Sequence, residues 1–177
     1  MEGGRASIFA FAALVAGFAA IEARPRAAAA FATDAPIVNP ARAERNWIMN
    51  CRGCHGVHAE GSPGGAPPMR GVIDEFIRTE QGRAYLSRVP GVANAPLSDD
   101  DLSDVLNWML STFLCEAPPT DFKYFDASEV GALRRDILIT GAASARSALL
   151  ASTALNATPA DTARSGACDD ADSNHDH

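Results

Sequence analysis

Positive charge is scarce in this 177-residue chain. Lys and Arg number 15 against 22 Asp and Glu, for a net charge of -7. Residues 1–32 hold Arg5, Arg24 and Arg26 against Glu2 and Glu22, so without them the charge is -8. Nucleic-acid binders carry basic patches, and this balance argues against one. It suits a soluble protein, or one whose partner presents a positive face. Aromatics are sparse, at 7%. No apolar run reaches the ~20 residues that span a bilayer. No strand–helix–strand alternation is visible, which removes the context a thioredoxin-like dithiol needs. Cysteine is limited to four residues. Cys51 and Cys54 sit together; Cys115 and Cys168 are left over, and an oxidising compartment would let them pair.

The amino terminus has the parts of a secretory signal peptide over residues 1–32. Arg5 supplies the positive start, residues 7–20 are apolar, and Ala30-Phe31-Ala32 fits an A-x-A cleavage site. Glu22, Arg24, Pro25 and Arg26 make the stretch before cleavage long and charged. Residues 33–39 lack periodicity and read as a linker.

The most informative stretch is Cys51-Arg52-Gly53-Cys54-His55. The spacing C-x-x-C-H is the attachment motif for a covalent c-type haem. Residues three apart on a helical turn share one face, so both sulfurs can reach the vinyl groups of one porphyrin edge. His55 then lies beneath the ring as a proximal iron ligand. Two other readings stay open. Cys51, Cys54, His55 and His58 could form a four-ligand zinc site, although adjacent ligands close a tetrahedron poorly. The pentapeptide could also be accidental.

The flanks carry helical periodicity. Asn39-Pro40 offers an N-cap and a first helical residue, and Ala43, Trp47, Ile48 and Cys51 come after it at helical spacing. Residues 56–71 are too rich in Gly and Pro for helix or strand. Val72, Ile73, Phe76 and Ile77 give a short apolar face, and residues 80–88 a second short helix with Tyr85 and Leu86 inward. Residues 89–96 read as an extended loop. Ser98 opens the best helix, with a capping S-x-x-D at Ser98 and Asp101 and an apolar stripe of Leu102, Val105, Leu106, Met109, Leu110 and Phe113. Pro118 and Pro119 rule out its continuation. A further helical signal spans 123–138, capped by Asp126 and Glu129. Beyond Gly141 an Ala/Ser/Leu-rich stretch to Leu155 offers one more helix. From Asn156 the chain is small, polar and acidic, with the composition of disorder; the closing Asn174-His175-Asp176-His177 reads as a solvated tail.

This series of motifs resembles the class I c-type cytochromes. The likeness rests on the haem-attachment motif, on Pro67, Met69, Arg70 and Gly71 in the loop, and on the closing helix with an aromatic at Trp108. It implies an all-α fold, a bundle of short helices around one covalently bound haem, with an extra C-terminal helical segment. The implied division is a signal peptide at 1–32, a linker at 33–39, the cytochrome domain at 40–116, a helical extension at 117–155 and a tail at 156–177. Small periplasmic cytochromes with such an extension are the nearest likeness. The resemblance implies thioethers at Cys51 and Cys54, iron bound by His55, and a Pro67 carbonyl that fixes the His55 tautomer, with Pro68 as rival. Met69 is expected on the proximal side of the ring.

One departure stands out. Most class I members carry a ligating Met in the loop before the closing helix, where this chain has Val89. Met49, Met69 and Met109 are the remaining methionines past the leader; Met69 reads as proximal and Met109 as core, while Asn94 or an open position stays in play, so the distal ligand is unassigned. The implied function is periplasmic one-electron transfer, not enzymatic catalysis. The donor would be a periplasmic dehydrogenase and the acceptor an oxidase or another cytochrome. The missing Met raises an alternative, a haem-based binder or sensor of diatomic gases.

Overall fold

Asn39 starts the first helix as expected: its side chain accepts from Arg42 N at 3.0 Å, and Pro40 takes the first helical position. The computed structural model describes residues 37–118 and 121–156. The signal peptide, most of the linker, the polar tail and Cys168 lie outside those residues. Helix α1 (Pro40–Asn50) runs into the one-turn α2 (Arg52–His55); α3 (Ile73–Phe76) and α4 (Glu80–Arg88) lie beyond the Gly/Pro-rich loop. Then come α5 (Pro90–Ala93), α6 (Asp99–Phe113), α7 (Ala127–Leu133) and α8 (Ala142–Asn156). All regular structure among the described residues is helical. None of these helices is long and apolar enough to cross a membrane.

Helix α6 is the central post. The Ser98 hydroxyl accepts from Asp101 N at 3.1 Å, and Asp99, Asp100 and Asp101 face the positive end of the helix dipole. The expected stripe is buried, each large apolar member contributing about 1.5–3 kcal/mol. Burial goes further than a stripe, because Ser103, Asp104 and Asn107 are buried too. Each has a partner. Asp104 accepts from Val38 N at 3.1 Å and Asn39 N at 3.4 Å, which ties the start of α1 to α6. Asn107, with no exposed surface, gives Nδ2 to the Phe125 carbonyl and accepts from Phe125 N, both at 2.9 Å. It thus pairs a side-chain amide with a buried backbone segment. Ser103 donates to the Asp100 carbonyl at 2.8 Å.

Two stretches differ from expectation. Residues 89–96 are not extended throughout: Val89 is extended, as a residue before proline should be, and Pro90 then opens the turn of α5. The helix expected over 123–138 is confined to α7. It stops because the residues after Leu133 bond elsewhere: Arg134 reaches across to other carbonyls, and Leu138 N donates to Arg88 O at 2.9 Å. Gly141, at φ +79°, makes the turn into α8. Gly82 has a different role, since a Cβ there would collide with the Phe76 carbonyl where α4 packs on α3.

Asn107→Ala should cost about 2–4 kcal/mol, because it removes two hydrogen bonds and strands the Phe125 backbone groups. The midpoint of urea unfolding measures this; a loss near zero would mean that water replaces the bridge. Asp126 gives a pH-dependent counterpart. It caps α7 by accepting from Glu129 N at 2.9 Å, and that bond, with Ser128 and Lys123, lowers its pKa from 3.8 to about 2. The native pKa lies below the unfolded one, so the stabilisation is present above about pH 4 and fades as pH falls towards 2. The stability gap between wild type and Asp126→Ala should therefore shrink across that window.

Candidate haem site

Cys51 sits where α1 breaks. Its N–H still donates to Trp47 O at 2.9 Å, while Cys54 N and His55 N both return to the Cys51 carbonyl, at 3.1 and 3.0 Å. The turn therefore winds about one oxygen and holds the two thiols and the imidazole in fixed relation. Both thiols are free. Cys51 is half-buried against the core and Cys54 is exposed. Burial, helped by Cys54, pushes the Cys51 thiol up to about 11. Redox-active dithiols depend on a lowered thiol pKa, so the chemistry here points away from that use. Cys115 is disulfide-bonded.

His55 stands at the edge of an aromatic cluster formed where α1 crosses α6. Its ring centroid is 6.1 Å from that of Trp47; Trp47 lies 5.1 Å from Phe113 and 6.0 Å from Trp108. Burial lowers the proton affinity of His55, and the Pro67 carbonyl pulls the other way. The balance favours neutral imidazole, the form that binds a metal. Nδ1 is buried without a partner in good hydrogen-bond geometry. The Pro67 carbonyl thus acts on the ring from just beyond bonding geometry. Pro68 is the weaker rival, because its carbonyl already accepts from Arg146 Nη2 at 3.1 Å.

Cys54 and His55 open onto a cavity of about 550 Å³. Its walls are mostly apolar: Ile73 and Phe76 from α3, Leu86 from α4, Leu106 and Met109 from α6. Val89, Pro90, Gly91 and Val92 form another side, and Ala142, Ala143, Arg146 and Ser147 of α8 a further one. This volume lies within the ~300–1,000 Å³ common for cofactor sites. Two free thiols one turn apart, an imidazole kept neutral by burial and an apolar chamber of this size fit a haem.

The remaining sequence candidates divide around this chamber. Pro67 and Met69 line the cavity beside His55, and so does Met109. Met49 is 80% exposed. Val89 lines the chamber, whereas Asn94 is exposed and not part of its wall. His58 is exposed, and its N–H donates to Glu60 Oε2 at 2.8 Å. Among the described residues no three His, Cys, Asp or Glu side chains gather as a metal site, so the four-ligand zinc arrangement does not form.

Arg134 escaped the sequence reading. Its guanidinium donates to Ala93 O at 3.0 and 3.1 Å, Ala95 O at 2.6 Å and Leu97 O at 2.9 Å, and reaches Asp99 Oδ1 at 3.2 Å. One side chain from the extension thereby holds the segment between α5 and α6, next to the wall formed by residues 89–92. Nothing in the sequence separates Arg134 from its neighbour Arg135, which is exposed. Arg134→Met should speed amide exchange across residues 89–98 by about tenfold or more, since each charge-assisted bond is worth roughly 1.5–3 kcal/mol. Unchanged protection there would show that the loop holds itself.

The chain is 32% identical to cytochrome c-552 of Thermus thermophilus over 102 residues, covering 48% of this chain and 78% of that protein. A second cytochrome c-552, from a named strain of the same species, also matches at 32% over 102 residues, covering 69% of its length. No family model matches, and no solved structure does. A likeness extending over most of a cytochrome's length is far more than a shared pentapeptide produces, and this chain belongs to the class I c-type cytochromes, electron-transfer proteins rather than enzymes.

Proposed function

We propose that this cytochrome carries one covalently bound haem on Cys51 and Cys54, with His55 as its iron ligand, and shuttles single electrons between proteins outside the cytoplasm. The observation that carries the reading is the opening of the Cys54–His55 turn onto the apolar chamber. Cys51 Sγ and Cys54 Sγ would hold the ring through thioethers, each S–H adding across one vinyl group so that no oxidant is needed. His55 offers Nε2 to the metal, and the Pro67 carbonyl keeps the remaining proton on Nδ1. Bound haem supplies the one-electron iron couple. The residues of α3, α4 and α6 exclude water from the chamber, and this burial is one of the protein's means of setting the potential. The likeness to cytochrome c-552 supports electron transfer over gas binding, and Met69 and Met109 line the cavity with the other apolar side chains.

The composition of the amino-terminal 32 residues supports export with cleavage after Ala32 and a carrier that works in the periplasm. A periplasmic dehydrogenase as donor, with an oxidase or another cytochrome as acceptor, suits that location and the acidic surface. The test is haem chemistry on exported full-length material. A pyridine haemochrome spectrum of a c-type haem should appear, with colour that stays on the polypeptide in a denaturing gel. Cys51→Ala/Cys54→Ala should lose all the covalent colour. A mature wild-type protein that is folded yet iron-free would sink the proposal.

A further inference from the structure

Helix α8 docks on α3 and α4 but buries none of its own residues. Ala145, Leu149 and Leu150 are partly buried against the core. The face formed by Ala142, Ala143, Arg146 and Ser147 looks instead into the chamber that His55 opens on. Two alanines leave room along that face. Among the described residues Arg146 is the one permanently charged side chain in the wall. A guanidinium beside apolar surface ordinarily has a carboxylate partner. Among the described residues Arg146 has none, and its one hydrogen bond goes to the Pro68 carbonyl. It stands close enough to the Tyr85 phenol to oppose the effect of burial on that hydroxyl.

A haem brings what this wall lacks. One edge of the ring carries the vinyl groups, and another bears two carboxylates that must be solvated or paired. We propose that Arg146 is the cationic partner of a haem carboxylate, and that this contact fastens α8 as a wall of the haem crevice. The inference rests on the covalent haem proposed for Cys51 and Cys54. Planar guanidinium matches carboxylate with two parallel hydrogen bonds. The bond to Pro68 steadies Arg146 from the same loop whose Pro67 acts on His55, so one short segment orients both the imidazole and the guanidinium.

The test uses the full-length holoprotein and begins with the pyridine haemochrome of wild type. Absence of haem there overturns the attachment at Cys51 and Cys54 itself; haem in wild type isolates the Arg146 question. Arg146→Gln removes a positive charge near iron, which should favour the oxidised state about tenfold, a fall of about 59 mV for a one-electron couple. Arg146→Lys keeps the charge and should recover more than half of that fall. The amides of α8 should exchange faster in Arg146→Gln than in wild type. An unchanged midpoint potential in Arg146→Gln, or an equal fall in both variants, would overturn the contact. Wild-type protein gives an independent reading if the variants fail to accumulate. Nuclear Overhauser contacts should link the Arg146 side chain to the methylenes bearing the haem carboxylates, and their absence beside well-resolved haem contacts to other residues would refute the pairing.

Discussion

The architecture depends on the burial of α6 beyond its apolar stripe. A helix sunk this deeply cannot leave Asp104 and Asn107 without partners, since an unpaired buried polar group costs more than its hydrogen bond returns. Asp104 draws in the chain just ahead of α1. Asn107 draws in the segment at Phe125. Those two attachments fix where the chain must pass before and after the post. The first determines where α1 crosses, and therefore where the turn bearing Cys51, Cys54 and His55 ends up. The second commits the residues beyond α6 to pack against the core.

Arginines then complete that packing. Arg83 grips Glu129 with two bonds, at 2.6 and 2.8 Å, while its guanidinium sits 4.0 Å from the Phe125 ring centre. Arg88 holds Asp136, Arg134 holds the segment before α6, and Arg146 reaches Pro68. The planar fork suits this work, because it can satisfy several carbonyls from one anchor. The C-terminal helices are thus bound to α4 and α6 and to the loops on either side of the chamber. The residues after α6 add a wall to the apolar chamber rather than trailing from it.

The helices were legible because their signals are local. Asn39-Pro40, Ser98 with Asp101, and Asp126 with Glu129 are caps written within four residues of sequence. The helical turn over Cys51–His55 was legible for the same reason, since the C-x-x-C-H spacing lies within one turn. The one-turn α5 was missed because Pro90 reads equally as a loop residue and as a helix start. Asn107 was missed because an Asn beside a leucine stripe looks like the edge of a solvated face; only its partner, 18 positions away, shows otherwise. Arg134 and Arg146 act across 35 or more residues, so their roles exist only once the chain has folded. The part of α8 in the chamber was hidden by its composition: alanine and serine at helical spacing carry no apolar stripe.

The position of α8 also imposes an order on maturation. A haem bound for the Cys51–Cys54 turn would have to enter by an opening that residues 142–147 border in the folded protein. Those residues leave the ribosome well after Cys51 and Cys54, and chains tend to fold from the amino terminus as they emerge. A porphyrin ligated at that turn would therefore be in place before α8 docks, and the docked helix would close as a latch behind it.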